Sequence, residues 1–232
     1  MKKIYALLLT LTVSALSFGQ TFYSENMGTA PTNTAITAFT GWQNTTPIVY
    51  SGTGSVRNSA ASTGYSGVSG LGNVYMGVTS AVGQYFQIDG LNTSAYSASD
   101  IQLSFGHLTN TNGINIVVEQ STNGGTSWTP ITYTPISGTG WNLYTIPGGQ
   151  IPSSATLSLR FTNPSTTTAQ MRVDDIKLSN VSASCTFVFG TPTATCDAVT
   201  LALDTYTATI PFTGAGNATY VVTTTSGTVG GD

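Results

Sequence analysis

The sequence predicts an all-β protein: a jelly-roll β-sandwich over residues 20–182, followed by a partial immunoglobulin-like or fibronectin-like sandwich over residues 183–232. Three observations carry this. Apolar and polar residues alternate with a period of two in one short segment after another. Clusters of Gly, Asn, Pro and Ser separate those segments, as at Asn112-Gly113, Asn123-Gly124-Gly125 and Pro147-Gly148-Gly149. No window sustains the stripe of an amphipathic helix. The chain is rich in Ser, Thr and Gly and only 6% charged, a composition that disordered segments share. Its recurrent tyrosines, tryptophans and β-branched residues are what such segments lack, so order is expected throughout.

Residues 1–19 have the form of a secretory signal peptide. Lys2 and Lys3 are followed by an apolar run from Ile4 to Leu16 and by small residues at Ser17 and Gly19, ahead of Gln20. The run is shorter than the roughly 20 residues of a bilayer-spanning helix, so export with cleavage after Gly19 is expected rather than a membrane span. The destination is then the extracellular space or the cell surface. Four basic residues remain against nine acidic ones, a net charge of −5. Nucleic acid is thereby excluded as a partner, because phosphate neutralisation needs clustered Lys and Arg.

The strands follow in order. In NVYMGV, Val74, Met76 and Val78 share a face, and in QYFQI, Phe86 and Ile88 do. DIQLSFGHL places Ile101, Leu103, Phe105 and His107 together. INIVVEQ places Ile114, Ile116 and Val118 inward, and ATLSLRFTN places Leu157, Leu159 and Phe161 inward with Ser158, Arg160 and Thr162 outward. Between INIVVEQ and WTPITY lies STNGGTSW, whose spacing resembles the Asp-box turn of sialidases. In MRVDDIKL the inward residues are Met171 and Val173, then Ile176 and Leu178. The phase flips across Asp174 and Asp175, which predicts a β-bulge. Two adjacent carboxylates there are either an exposed, solvated pair or part of a calcium site, since calcium gathers carboxylates and carbonyls in loose geometry.

Beyond Asn180 the text changes. Cys185 and Cys196 are the only cysteines, and in an exported protein a disulfide between them is expected. Alternating runs at VTLAL, YTATIPF and ATYVVTTT supply about four strands where an immunoglobulin-like sandwich needs about seven. The sequence therefore reads as part of a longer polypeptide.

Catalysis is not expected of this stretch. A serine or cysteine nucleophile needs a base, and the only histidine, His107, falls in phase with apolar residues as a rim or core histidine with a satisfied ring. Zinc needs clustered His and Cys, and glycoside hydrolysis needs carboxylates across a cleft. A sialidase propeller needs repeated blades, whereas one Asp-box-like turn occurs and no repeat of blade length.

FYSEN at 22–26, GWQ at 41–43, the STNGGTSW hairpin and the closing RVDDIKL together resemble, in that order, jelly-roll modules of the carbohydrate-binding and MAM-like type. The resemblance covers about residues 21–180. It implies a structural calcium on Glu25 and Asp174, helped by Asp175 or Asn26, and it implies that Trp42 is core. Signal, jelly roll and immunoglobulin-like repeat together resemble cargo of the type IX secretion route. Function is then expected to be non-catalytic binding or adhesion, with a polysaccharide or cell-surface glycan as partner. The outward-phased Tyr75, Tyr85, Gln87 and Arg160 are the candidate platform. An accessory domain of a secreted nuclease, protease or glycosidase and a structural stalk are the other readings. Trp141, in phase with Leu143, is expected in the core.

Overall fold

The computed structural model describes residues 20–30 and 32–181, and beyond these only the backbone of four short strands. Gly19–Ser182 form one compact unit. Its strands are β1 (Gln20–Glu25), β2 (Thr34–Ala35), β3 (Val49–Gly52), β4 (Ser55–Arg57), β5 (Asn73–Met76), β6 (Val78–Thr79), β7 (Val82–Gly83), β8 (Tyr85–Leu91), β9 (Ile101–Thr109), β10 (Val117–Ser121), β11 (Thr129–Ile131), β12 (Gly140–Ile146), β13 (Leu157–Thr162) and β14 (Met171–Asn180). The four short strands pair antiparallel, Val188–Phe189 with Phe212–Thr213 and Thr193–Cys196 with Tyr206–Thr209. The expected signal peptide, most of the expected second sandwich and Cys185 lie outside the described residues, and of Cys196 only the backbone is described.

Two antiparallel sheets face each other. One is seven-stranded, in the order β12-β9-β14-β5-β4-β2 with β1 also on β14; the other is five-stranded, in the order β11-β10-β13-β8-β3. The period-two alternation explains the packing, because each strand turns one row of apolar side chains inward. Leu103, Phe105, Ile176 and Leu178 from the first sheet meet Phe86, Ile88, Leu159 and Phe161 from the second in one core. An aromatic column runs through it. Trp42 stacks on Tyr50 at 4.0 Å and on Phe86 at 5.6 Å, Phe86 on Phe161 at 6.2 Å, and Phe161 meets Phe105 edge-on at 5.2 Å.

The predicted bulge is present, and its place has a reason. Strand β14 is shared along one edge: Met171–Val173 pair with β5, and Ile176–Asn180 with β1. On its other edge the register against β9 slips between Asp174 and Lys177. Asp175, with φ of +50°, takes up the extra residue. The changed phase lets Ile176 and Leu178 continue the apolar row.

STNGGTSW is a self-bonded hairpin. Asn123 Oδ1 accepts from the Ser121 hydroxyl at 2.8 Å and from the Ser127 amide at 3.1 Å, while Asn123 Nδ2 donates to Ser127 Oγ at 2.9 Å. Gly125, at φ +80°, lies where a Cβ would come within 3.2 Å of the Trp128 ring, so glycine permits the close contact. Asn123→Ala is expected to cost about 1–2 kcal/mol, since three local bonds go and solvent replaces some of them. A urea unfolding curve with unchanged slope and a lowered midpoint is the readout.

Candidate functional site

Residue order along the five-stranded sheet decides what shares its outer face. Gln87 pairs with Ser51 on β3 and with Arg160 on β13, and Arg160 pairs with Glu119 on β10. Ser51, Gln87, Arg160 and Glu119 therefore form one row across four strands. Tyr85 stands in the next row, opposite Thr162.

Electrostatics fix this row. Arg160 donates from Nε and Nη2 to Glu119 Oε2 at 2.9 and 2.8 Å. Its guanidinium lies over the Trp128 ring, 4.1 Å from the centroid, a cation–π contact that helps hold the side chain. Gln87 Nε2 donates to both carboxylate oxygens of Asp89, at 3.0 and 2.9 Å. The exposed Val49 and Val117 border the patch.

The sequence therefore brings Tyr85, Gln87 and Arg160 together. Tyr75 does not join them. It belongs to β5 of the seven-stranded sheet, and its ring sits between Arg57 and Arg172. Period-two alternation tells outward from inward but not which sheet a strand enters, so Tyr75 is corrected to the opposite face of the molecule. Trp128 and Glu119 were missed as members of the row; their direct contacts with Arg160 are what place them there.

The expected calcium ligands resolve into two separate hydrogen-bonded sets. Glu25 is fully buried. Its Oε1 accepts from the Met27 amide at 2.9 Å. Its Oε2 accepts from the Gln43 amide at 3.0 Å, the Asn44 amide at 3.3 Å, Asn44 Nδ2 at 3.2 Å and the Tyr50 hydroxyl at 2.8 Å. Asp174 Oδ2 accepts from the Ser62 and Ser69 hydroxyls at 2.5 and 3.2 Å, and its Oδ1 from the Asp175 amide at 2.7 Å. Asp175 Oδ2 accepts from the Tyr65 hydroxyl at 2.7 Å and the Ser69 amide at 3.0 Å.

No donor serves both Glu25 and the aspartates. A hard cation needs converging oxygen lone pairs, whereas these carboxylates face N–H and O–H donors, the surroundings of an anion. Among the described residues no three His, Cys, Asp or Glu side chains cluster as a metal site. In this arrangement Glu25 and the two aspartates do not converge as one set of calcium ligands. The aspartate pair is not a solvated one either, because the segment between β4 and β5 closes over it and leaves both residues buried. That burial, with the neighbouring Asp175 charge adding to it, raises the Asp174 carboxyl to about 7 against the lowering pull of its hydrogen bonds.

Two further expectations change. His107 is buried with Nδ1 3.0 Å from the Arg172 carbonyl, but its Nε2 has no partner among the described residues, so the ring is only half satisfied. Trp141 is not core. It is half-exposed and its Nε1 donates to the Ala60 carbonyl at 3.1 Å, a bond an indole in the apolar interior would lack.

These features define a two-sheet β-sandwich domain with a preorganised polar and aromatic row on the outside of its five-stranded sheet. No family model matches the sequence, and no curated protein matches it. Among solved structures, the cleaved adhesin domain of Lys-gingipain from Porphyromonas gingivalis is similar with a TM-score of 0.41 and 16% identity, over 69% of this chain and 98% of that one. The family 22 xylan-binding domain from Paenibacillus barcinonensis is similar with a TM-score of 0.39 and 14% identity, over 73% and 100%. The family 11 carbohydrate-binding module from Clostridium thermocellum, in complex with a mixed-linked tetrasaccharide, gives a TM-score of 0.35 and 14% identity, over 64% and 96%. These likenesses are too remote to carry a ligand to this chain.

Proposed function

We propose that the chain is an exported, non-catalytic binding module whose five-stranded sheet holds a polysaccharide or cell-surface glycan on its outer face. The observation that supports this is the single registered row of Gln87, Arg160 and Glu119 beside Tyr85. Tyr85 is partly exposed and its ring has no aromatic or cationic partner among the described residues, so the exposed part of the ring can stack against a sugar. Gln87 and Arg160 are already locked by Asp89 and by Glu119 with Trp128. Hydroxyl groups then bond to side chains that lose little rotamer freedom on binding. The chemistry is recognition alone: stacking supplies the area and the polar row sets the orientation.

Retention of the whole chain on insoluble cellulose, xylan, mannan and galactan tests this. At least one is expected to retain it, and Tyr85→Ala is expected to weaken retention about tenfold, the effect of losing one stacked aromatic. Absence of retention on every polymer and on a glycan array, or a Tyr85→Ala variant that binds as well as the parent, rejects the reading in favour of a structural stalk.

A further inference from the structure

The outer face of the seven-stranded sheet carries two guanidiniums that have no counter-ion among the described residues. Tyr75 on β5 stands between β4 and β14, and the guanidinium carbons of Arg57 and Arg172 lie 3.7 and 5.0 Å from its ring centroid. They are two of the four basic residues that follow Gly19. Like charges brought to one ring repel, and cation–π contact offsets only part of that.

Arg172 is tied into the fold. Its Nη1 donates to the Ser59 carbonyl at 2.9 Å and to Asn73 Oδ1 at 2.7 Å. Burial, and then the Arg57 charge, lower its affinity for the proton. Arg57 is different. Only its Nε is engaged, donating to Asn33 Oδ1 at 3.2 Å and Ser55 Oγ at 2.9 Å. Its Nη1 and Nη2, and the Tyr75 hydroxyl, have no hydrogen-bond partner among the described residues. The two aspartates of β14 bond to other groups, Asp174 to Ser62 and Ser69, Asp175 to Tyr65 and Ser69. The one ion pair among the described residues is Arg160 with Glu119 on the other sheet.

We propose that Arg57 and the Tyr75 hydroxyl, backed by Arg172, form a second site that takes the carboxylate or sulfate group of an acidic polysaccharide. A guanidinium presenting both Nη atoms matches the two oxygens of such a group as a fork. Nε, held by Asn33 and Ser55, fixes the plane of the fork. Gly77 adds the last element: a Cβ there would lie 2.7 Å from Tyr75 Oη, so glycine leaves the hydroxyl room beside the strand. The site lies on the opposite sheet from the Tyr85 row and does not depend on it. Because the chain as a whole is acidic, attraction is local, and weakening by salt is expected.

Affinity electrophoresis of the full chain through gels holding polygalacturonate, dextran sulfate or neutral dextran tests the site at low salt. Retardation by at least one polyanion and not by dextran is expected, and the two polyanions separate carboxylate from sulfate. Arg57→Gln should weaken it about tenfold and Tyr75→Phe about threefold, while Arg160→Gln leaves it unchanged. The proposal is overturned if neither polyanion retards the parent chain, if Arg57→Gln migrates like the parent, or if Arg160→Gln abolishes retardation as fully as Arg57→Gln does.

Discussion

Glu25→Ala is expected to lower the unfolding free energy by on the order of 4–6 kcal/mol, among the largest effects a single substitution has. Three backbone amides, the Asn44 side chain and the Tyr50 hydroxyl all point at this carboxylate. Each buried donor left without an acceptor costs about 1–3 kcal/mol, and water reaching the cavity recovers part of the total. The carboxylate also does long-range work. It ties the end of β1 to residues 43, 44 and 50, so that Trp42 and Tyr50 stay on the aromatic column over Phe86. Glu25→Gln keeps one acceptor oxygen and should cost about half as much. Thermal melts are the measurement, with a fall in Tm of about 10 °C expected for alanine. The same melts with and without a calcium chelator should coincide, because donors rather than a cation hold the group. A Tm that drops on chelation in the parent and not in Glu25→Gln would contradict this.

Acid should destabilise the fold through His107. Burial lowers its pKa from 6.5 to about 4. The unfolded chain therefore binds the proton more readily, and the histidine's contribution is complete above about pH 6.5 and lost as pH falls towards 4. The size is about 3 kcal/mol. The groups facing it are the Arg172 carbonyl on β14 and the Tyr144 ring on β12, 5.7 Å away between centroids, and neither supplies a negative charge. Asp174 works in the opposite sense. Its raised pKa makes a contribution that is full below about pH 4 and lost as pH rises through about 7. Comparison with His107→Met separates the two, since Asp174 is common to both proteins. The stability gap between parent and variant is expected to shift by about 3 kcal/mol between pH 7.5 and pH 4, measured by urea unfolding. A constant gap would show that the ring is not held neutral.

Much of the fold was legible because alternation is a direct record of burial. Leu103 and Phe105, Leu159 and Phe161, and the flipped pairs Met171/Val173 and Ile176/Leu178 all lie in the core as their phase requires. Tyr85, Gln87 and Arg160 were readable as outward residues for the same reason. What alternation omits is topology. Nothing local says that β5 joins one sheet and β8 the other, and so Tyr75 was grouped with the wrong face. Nor does it say that an outward face is bare. The Ser- and Gly-rich segment from Asn58 to Gly72 has no period, yet Ser62, Tyr65 and Ser69 from it cap Asp174 and Asp175, and Ala60 takes the Trp141 indole. Glu25 shows the third limit. Most of its partners are backbone amides, which every residue carries, so an isolated acid in a strand reads equally well as a metal ligand or as the centre of a nest of donors.

The role proposed for the outer face of the five-stranded sheet is to hold a sugar chain. Its most direct test is a two-dimensional NMR titration of the isotope-labelled chain with cello-, xylo-, manno- and galacto-oligosaccharides. Binding of one of them should shift the Gln87 side-chain amide, the Arg160 Nε–H and the backbone amides of β8, β10 and β13 around Tyr85, and leave β9 and β12 unmoved. Shifts confined to the seven-stranded sheet, or none with any of the four, would contradict the claim.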